Sequence, residues 1–290
     1  MLKNFLKTAH QSFTLVLLTT TLLSATPSAV LAEEESNSRK PFIGINLEVV
    51  DDKPITYEIS EPYTTAIKKA GGIPILIPPM GKEDLSKVFD MLDGVMLIGG
   101  LDYPPSIYGK KPHKTIVLMH DSRTEFDTNF ANLVLNSKKI PFLGICAGAQ
   151  IVNIKSGGSL IRDVPSAYPK SKIKHSSPNG WQVGFRKHTV DIKEGSKLSN
   201  IYGKKKLTVV SSHHQCVDKV GKGLTITSNA PDGVKESYEG DDKNRFFIGV
   251  QWHPERDYDT NKPLFHEFIK QSKQYGIAKQ AEKKLAERKN

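Results

Sequence analysis

Cysteine is nearly absent: the 290 residues hold Cys146 and Cys216 and no other. That excludes a multi-bridge disulfide framework and a cysteine-built zinc module, and it leaves open at most one bridge, between those two. Long apolar runs are also lacking. The leading candidate, Phe13 to Leu23, is flecked with Thr and too short to span a bilayer comfortably. Aromatics make up 8% of the chain, and the lysine runs (Lys172 and Lys174, Lys204 to Lys206, Lys283 and Lys284) have none interleaved. Without a nucleic-acid reading motif, the formal charge of +10 reads as solvated basic faces, and no nucleic-acid partner is expected. No acidic residue precedes Glu33. Lys3 and Lys7, the short apolar run and the small residues ending in Val30-Leu31-Ala32 therefore predict a signal peptide over 1–32, cleaved after Ala32. The mature chain is expected to be periplasmic or secreted, with no stable membrane insertion.

What is present suffices for a core without staples: 38% hydrophobic and 25% charged residues. The expected organisation is a polar linker at 33–40, one domain at 41–273 and a charged tail at 274–290. Phe42 to Ile45, Ile73 to Ile77, Gly94 to Ile98 and Pro141 to Ile145 read as buried strands. Glu61 to Ala70, Lys82 to Leu92 and Thr124 to Ser137 read as the helices between them. Strands apolar along their whole length imply a mainly parallel sheet covered on both faces, hence an α/β, flavodoxin-like three-layer sandwich. From Gln182 onward, short alternating strands predict an added antiparallel region in the C-terminal half. They are Gln182 to Phe185, His188 to Ile192, Leu207 to Val210, Leu224 to Ser228, Gly233 to Tyr238 and Phe246 to Gln251. A last helix is predicted over Pro263 to Gln271, and the tail beyond Gly276 reads as a solvated helix or a frayed end.

Gly144-Ile145-Cys146-Ala147-Gly148 stands where a buried strand meets a helix. A sharp strand-to-helix turn needs small neighbours, because the residue at its apex is forced into a strained conformation. Such a turn sets the sulfur at a helix N-terminus, where the dipole and free N–H groups favour thiolate, and lets the Ala147 N–H face a developing oxyanion. A buried Cys at an ordinary tight turn is the alternative. A thiolate nucleophile needs a base. His253, in Gln251-Trp252-His253-Pro254-Glu255, directly follows a strand ending at Val250, and Glu255 can reach back to orient its ring. Cys216 reads as a buried, inert thiol. His213 and His214 are adjacent, so on a strand at most one would reach a cleft, and His214 or Gln215 is favoured. No second carboxylate or Cys stands at ligand spacing near them, so no metal site is expected. The Lys-rich stretch from Ser171 to Asn179 is expected to form a flap over the site.

Gly-Ile-Cys-Ala-Gly-Ala-Gln at 144–150, taken with Gln-Trp-His-Pro-Glu at 251–255, resembles the class I glutamine amidotransferase superfamily. Within it, the likeness is to γ-glutamyl-γ-aminobutyrate hydrolase-like peptidases. Val95 to Gly100, His188 to Leu198, Ser211 to Gln215 and Ala230 to Gly233 fall in the same order, so the resemblance spans 41–272. It implies a triad of Cys146, His253 and Glu255, and an oxyanion hole from the backbone N–H groups of Gly100 and Ala147. It also implies attack on a γ-glutamyl carbonyl followed by thioester hydrolysis, with no metal and no organic cofactor. Gln150, one turn past the nucleophile, is expected to help hold the glutamyl group, with a helix-surface amide as the alternative. Three departures bear on substrate choice. Ala147 stands where such proteins commonly carry Arg, Leu101-Asp102-Tyr103 replaces a polar turn, and Arg123-Thr124 replaces an Arg-Asp pair. The expected partner is a small γ-glutamyl substrate, and a homodimer is open. A folate-type γ-glutamyl hydrolase and a non-catalytic binding protein of the same fold are the alternatives.

Overall fold

Strands with no polar face must be covered on both sides, and this requirement organises the central sheet. The computed structural model describes residues 39–50, 54–177 and 184–288. The signal segment expected at 1–32, most of the expected linker and the first residues of the strand expected at Gln182 lie outside the described residues. Five parallel strands form one half: β1 (Phe42–Asn46), β4 (Ile73–Ile77), β5 (Gly94–Leu97), β6 (Phe142–Ile145) and β13 (Phe247–Val250). Four antiparallel strands continue it: β8 (Arg186–Ile192), β9 (Lys206–Ser211), β11 (Leu224–Asn229) and β12 (Lys235–Gly240). Among the described residues the sheet has nine strands in the order β4-β1-β5-β6-β13-β12-β11-β8-β9. Both halves agree with the predicted α/β sandwich.

Alternation along the strands divides the core into two layers. Ile43, Ile45, Met96, Leu143, Ile145 and Ile248 face one side. There they pack on α1 (Glu61–Ala70), α6 (Lys197–Tyr202) and α7 (Tyr258–Glu287). Val95, Leu97, Phe142 and Phe247 face the other side, under α2 (Lys82–Met91), α3 (Asp121–Ser137) and α4 (Ala147–Lys155). A short helix α5 (Val164–Ala167) and two small antiparallel strand pairs flank this sheet. These pairs are β2 (Glu48–Val50) with β3 (Thr56–Glu58), and β7 (Leu160–Ile161) with β10 (Cys216–Val217). Neither pair is predicted from the sequence, because strands of two or three residues carry too little periodicity.

Helix ends follow local chemistry. At α1, Pro62 sits in the first turn, and Gly71 at φ 98 closes the last turn with its N–H on the Lys68 carbonyl at 3.1 Å. The final helix departs from expectation at both ends. It starts before Pro263, because the Asp257 side chain caps Thr260 and fixes the first turn there. It also continues through the expected tail. Lys279 donates to the Asp90 and Leu92 carbonyls at 3.1 and 2.6 Å, so the first turns of that tail are docked against the end of α2.

A buried polar network ties α3 to the ends of β1 and β5. Arg123 is fully buried; its Nε meets Asp127 at 2.6 Å, and its Nη1 meets Glu48 at 3.0 Å and the Leu47 carbonyl at 2.8 Å. Asp127 also accepts from Tyr103 at 2.6 Å and Asn46 at 2.7 Å. The arginine's acidic partner is therefore one helical turn on, at Asp127, and Thr124 is not its substitute. Removing the guanidinium while leaving Asp127 buried should destabilise the fold by about 3–5 kcal/mol. Urea denaturation of Arg123→Met against the parent measures this; a loss under about 1 kcal/mol would contradict the assignment of Arg123 as the network's centre.

Candidate active site

Strands β6 and β13 run parallel with Ile145 opposite Val250, so the residues after each strand emerge at one edge of the sheet. Open α/β sheets gather their sites at such an edge. Cys146 follows β6 and caps α4 with φ 50 and ψ −110, a left-handed conformation rare for a residue with a side chain. The flanking glycines make that turn possible. A Cβ on Gly148 would run into the Leu97 carbonyl, and one on Gly144 would lie 2.9 Å from the backbone of Ala149. The Cys146 N–H donates to the Val250 carbonyl at 2.8 Å, locking the apex to the neighbouring strand.

His253 stands in the loop after β13, its own N–H on the Val210 carbonyl at 2.8 Å. Its Nδ1 meets Glu255 Oε1 at 2.9 Å, and the ring and the Cys146 sulfur line the same cleft. Gln251 donates to that sulfur, its Nε2 lying 3.5 Å away. A Cβ on Gly99 would come within 2.9 Å of His253 Cε1 and 3.6 Å of Cys146 Cβ, so the pocket between them requires glycine. Burial works against a charged His253, but the Glu255 carboxylate and the sulfur outweigh it and push the imidazole up to about 10. The ring is therefore held toward its charged form.

The loop after β5 faces this pair. Tyr63 accepts the Gly99 N–H at 3.2 Å, and Arg123 donates to the Gly99 carbonyl at 3.2 Å. In a trans peptide the Gly100 N–H points away from that carbonyl, so Arg123 sets its direction. Gly100 lines a cleft of about 740 Å³ together with Cys146, His253, Tyr63, Glu48 and Arg256. Ala147 is buried next to the sulfur at the first position of α4. Tyr63, Gln251 and Arg256 are not among the site residues expected from sequence, and Arg123 enters there only as a departure bearing on substrate choice. Gln251 and Arg256 adjoin the quoted His-Pro-Glu segment, whereas Tyr63 carries no local signal.

The other expected residues sit elsewhere. Gln150 is buried behind the sulfur, its amide on Gln251 Oε1 at 3.2 Å and the Gln215 carbonyl at 3.4 Å, so it braces Gln251 and neither lines the cleft nor lies on the helix surface. His214 bridges Asp102 at 3.0 Å and Asp163 at 3.3 Å, and Gln215 is buried against the Arg162 carbonyl. Neither lines that cleft. Both cysteines are free thiols, and burial pushes Cys216 up to about 12. The described part of the expected flap, 171–177, is tied down, with Ser171 and His175 both on Asp232. His213 turns into a buried group with His175, His188 and Glu236. The expectation of no ligand set near His213 considered only neighbours in sequence, and the sheet brings the other three from distant positions.

A strained cysteine between a parallel strand and a helix, within a three-layer α/β sandwich, is the arrangement of class I glutamine amidotransferase-like proteins. Residues 41–255 match the peptidase C26 family, and the chain belongs to it. RP404 of Rickettsia prowazekii, described as glutamine amidotransferase-like, is 32% identical over 81% of this chain and 98% of its own length. The γ-glutamyl-γ-aminobutyrate hydrolase PuuD of Escherichia coli K12 is 30% identical over 74% of this chain and 86% of its own. The glutaminase domain of Trypanosoma brucei CTPS, solved with bound acivicin, shares the fold at TM-score 0.54 and 15% identity, over 80% of this chain and 94% of that one. The family supports a glutamine amidotransferase-like or γ-glutamyl hydrolase type of activity. Among the described residues, no helix is long and apolar enough to cross a membrane.

The His253 midpoint offers a direct check. A histidine raised above its ordinary 6.5 stabilises the fold fully below about that pH, and the contribution fades as pH climbs through about 10. In Glu255→Gln, burial is left opposing the charged ring, so its midpoint should fall by at least about one pH unit. Imidazole NMR across the titration reads this, and an unchanged midpoint would contradict Glu255 as the group that holds the proton there.

Proposed function

We propose that the chain is an exported cysteine hydrolase of small γ-glutamyl amides, with Cys146 as nucleophile, His253 as acid and base, and Glu255 as the orienting carboxylate. The carrying observation is the left-handed Cys146 sharing one cleft with an imidazole that Glu255 braces at 2.9 Å. In this reading the thiolate attacks the γ-carbonyl, and the oxyanion is received by the N–H groups of Gly100 and Ala147. The His253 imidazolium then gives its proton to the departing amine, leaving a γ-glutamyl thioester. The now neutral ring takes a proton from water, hydroxide adds to the thioester carbonyl, and collapse expels the thiolate.

The cleft also offers charges of both signs. Glu48 and Glu58 suit an α-ammonium, and Arg256, stacked over Phe185, suits an α-carboxylate. These are the two ends of a free γ-glutamyl group, and likeness to a γ-glutamyl-γ-aminobutyrate hydrolase supports the same class. Ala147 brings no cation to the cleft, and in this reading Arg256 supplies one.

Cys146→Ala should lower kcat by at least about 10³-fold while leaving the fold intact. The assay follows glutamate released from a panel holding γ-glutamyl-aminobutyrate, γ-glutamyl peptides and folate polyglutamate. Turnover that survives the substitution would refute the nucleophile, and turnover confined to folate polyglutamate would move the assignment to a folate-type hydrolase. Stabilisation by these compounds without any turnover would instead favour a binding protein. For export, the full chain expressed in a Gram-negative host should yield a periplasmic form whose first residue is Glu33. N-terminal sequencing of that fraction checks it, and an intact Met1 would contradict cleavage.

A further inference from the structure

Four buried side chains from four separate places converge behind the cleft wall. His175 comes from the segment after α5, His188 from β8, His213 from the loop after β9, and Glu236 from β12. Each has at most 4% of its side chain exposed. His175 Nδ1, His188 Nε2 and His213 Nε2 lie 3.1, 3.3 and 3.5 Å from the same oxygen, Glu236 Oε1. Yet none of those three nitrogens, nor either Glu236 oxygen, has a hydrogen-bond partner. Buried polar atoms left in this state are rare and call for an explanation.

The outer nitrogens supply it. His175 Nε2 faces Asp232 Oδ2 at 3.0 Å, His188 Nδ1 faces the Thr189 carbonyl at 3.2 Å, and His213 Nδ1 faces the Gln215 carbonyl at 2.9 Å. Each of these partners only accepts, so in its neutral form each ring carries the proton on the outer nitrogen and a lone pair on the inner one. Three lone pairs and a carboxylate thus point at one another in a dry interior. One extra proton would satisfy one contact to Glu236 and leave two lone pairs opposed. A cation at the centre satisfies all four.

We propose that His175, His188, His213 and Glu236 bind a divalent transition metal, with Zn²⁺ the best match. Imidazoles held by outer carboxylate and carbonyl acceptors are the usual form of metal-bound histidine. A tetrahedral ion with bonds of about 2.0–2.1 Å has ligands about 3.3 Å apart, which fits the three distances to Glu236. All four inner atoms lie within 4.8 Å of one another. Three nitrogens and one oxygen suit zinc and its neighbours in the series, and not magnesium or calcium. Four protein ligands leave no open position, so the ion is structural and takes no part in the chemistry at Cys146.

Its place gives it a use. The His175 carbonyl accepts from His213 N–H and Ser211 Oγ, and Ser212 between them lines the cleft. The Glu236 carbonyl accepts the N–H of Gln251, whose side chain touches the sulfur. The ion therefore fastens the 171–177 segment to the antiparallel half of the sheet and stiffens the wall behind the site. This inference stands apart from the γ-glutamyl reading, since it needs no substrate and no turnover.

The test uses the full mature chain carrying Cys146→Ala, which removes the cleft thiolate as a competing ligand. The protein is stripped with a chelator and then titrated separately with Zn²⁺ and Co²⁺. One equivalent should bind, with Tm rising by at least about 5 °C. The Co²⁺ form should show the visible bands of a tetrahedral site and no thiolate charge-transfer band. X-ray absorption of the Zn²⁺ form should count three imidazoles and one oxygen. His188→Gln should abolish binding. Should that variant not fold, Asp232→Asn, which touches only the outer nitrogen of His175, should weaken Zn²⁺ affinity about 10–100-fold. Failure to bind either ion in stoichiometric amount, sulfur among the ligands, or a Co²⁺ spectrum retained by His188→Gln would overturn the proposal.

Discussion

At the junction of β6 and α4 the chain turns from strand to helix within one residue, and Cys146 bears that turn at φ 50. The conformation costs on the order of 1–3 kcal/mol, so it persists only where the surroundings enforce it. They do so from both sides. The Cys146 N–H is held by Val250 of the adjacent strand, and Gly148 lets α4 press against the Leu97 carbonyl of β5. The parallel register of β6 with β13 then delivers Gln251 and His253 to the same edge, with no further device needed to bring sulfur and imidazole together.

Around that apex, charge is arranged in pairs that burial alone would forbid. Burial opposes the charged form of His253, and Glu255 and the sulfur favour it. Arg123 keeps its charge in the interior between Asp127 and Glu48, and spends one more donor on the Gly99 carbonyl. That last bond links a structural ion pair to the loop whose Gly100 N–H is proposed to receive the oxyanion. The His175, His188, His213 and Glu236 group occupies the far side of the same wall, reaching the sulfur through Gln251.

The parallel half of the sheet was readable because its strands are apolar from end to end and Gly71 stops the first helix between them. The elbow and His253 were readable because their neighbours are fixed by steric need, small residues at 144 and 148 and a strand ending just before the histidine. Gln150 and His214 are drawn away from the cleft for one reason. A position one turn along a helix, or in a loop, does not say which way a side chain is drawn, and Gln251 and the Asp102–Asp163 pair decided it. The buried His–Glu group was invisible for another. Its members are dispersed along the chain, and only the antiparallel order of β12, β11, β8 and β9 brings them within reach. Pro263 misled as a helix start because proline is tolerated beyond the first turn once a cap such as Asp257 has already fixed the beginning.

The central claim is that the Cys146 sulfur carries the acyl group. Rapid acid quenching during turnover of a γ-glutamyl amide, followed by intact-mass and peptide analysis, tests it most directly. The account predicts one added γ-glutamyl group on the peptide containing Cys146, released by hydroxylamine as a thioester should be. Steady turnover with no adduct on that peptide, or with the adduct on Cys216, would contradict it.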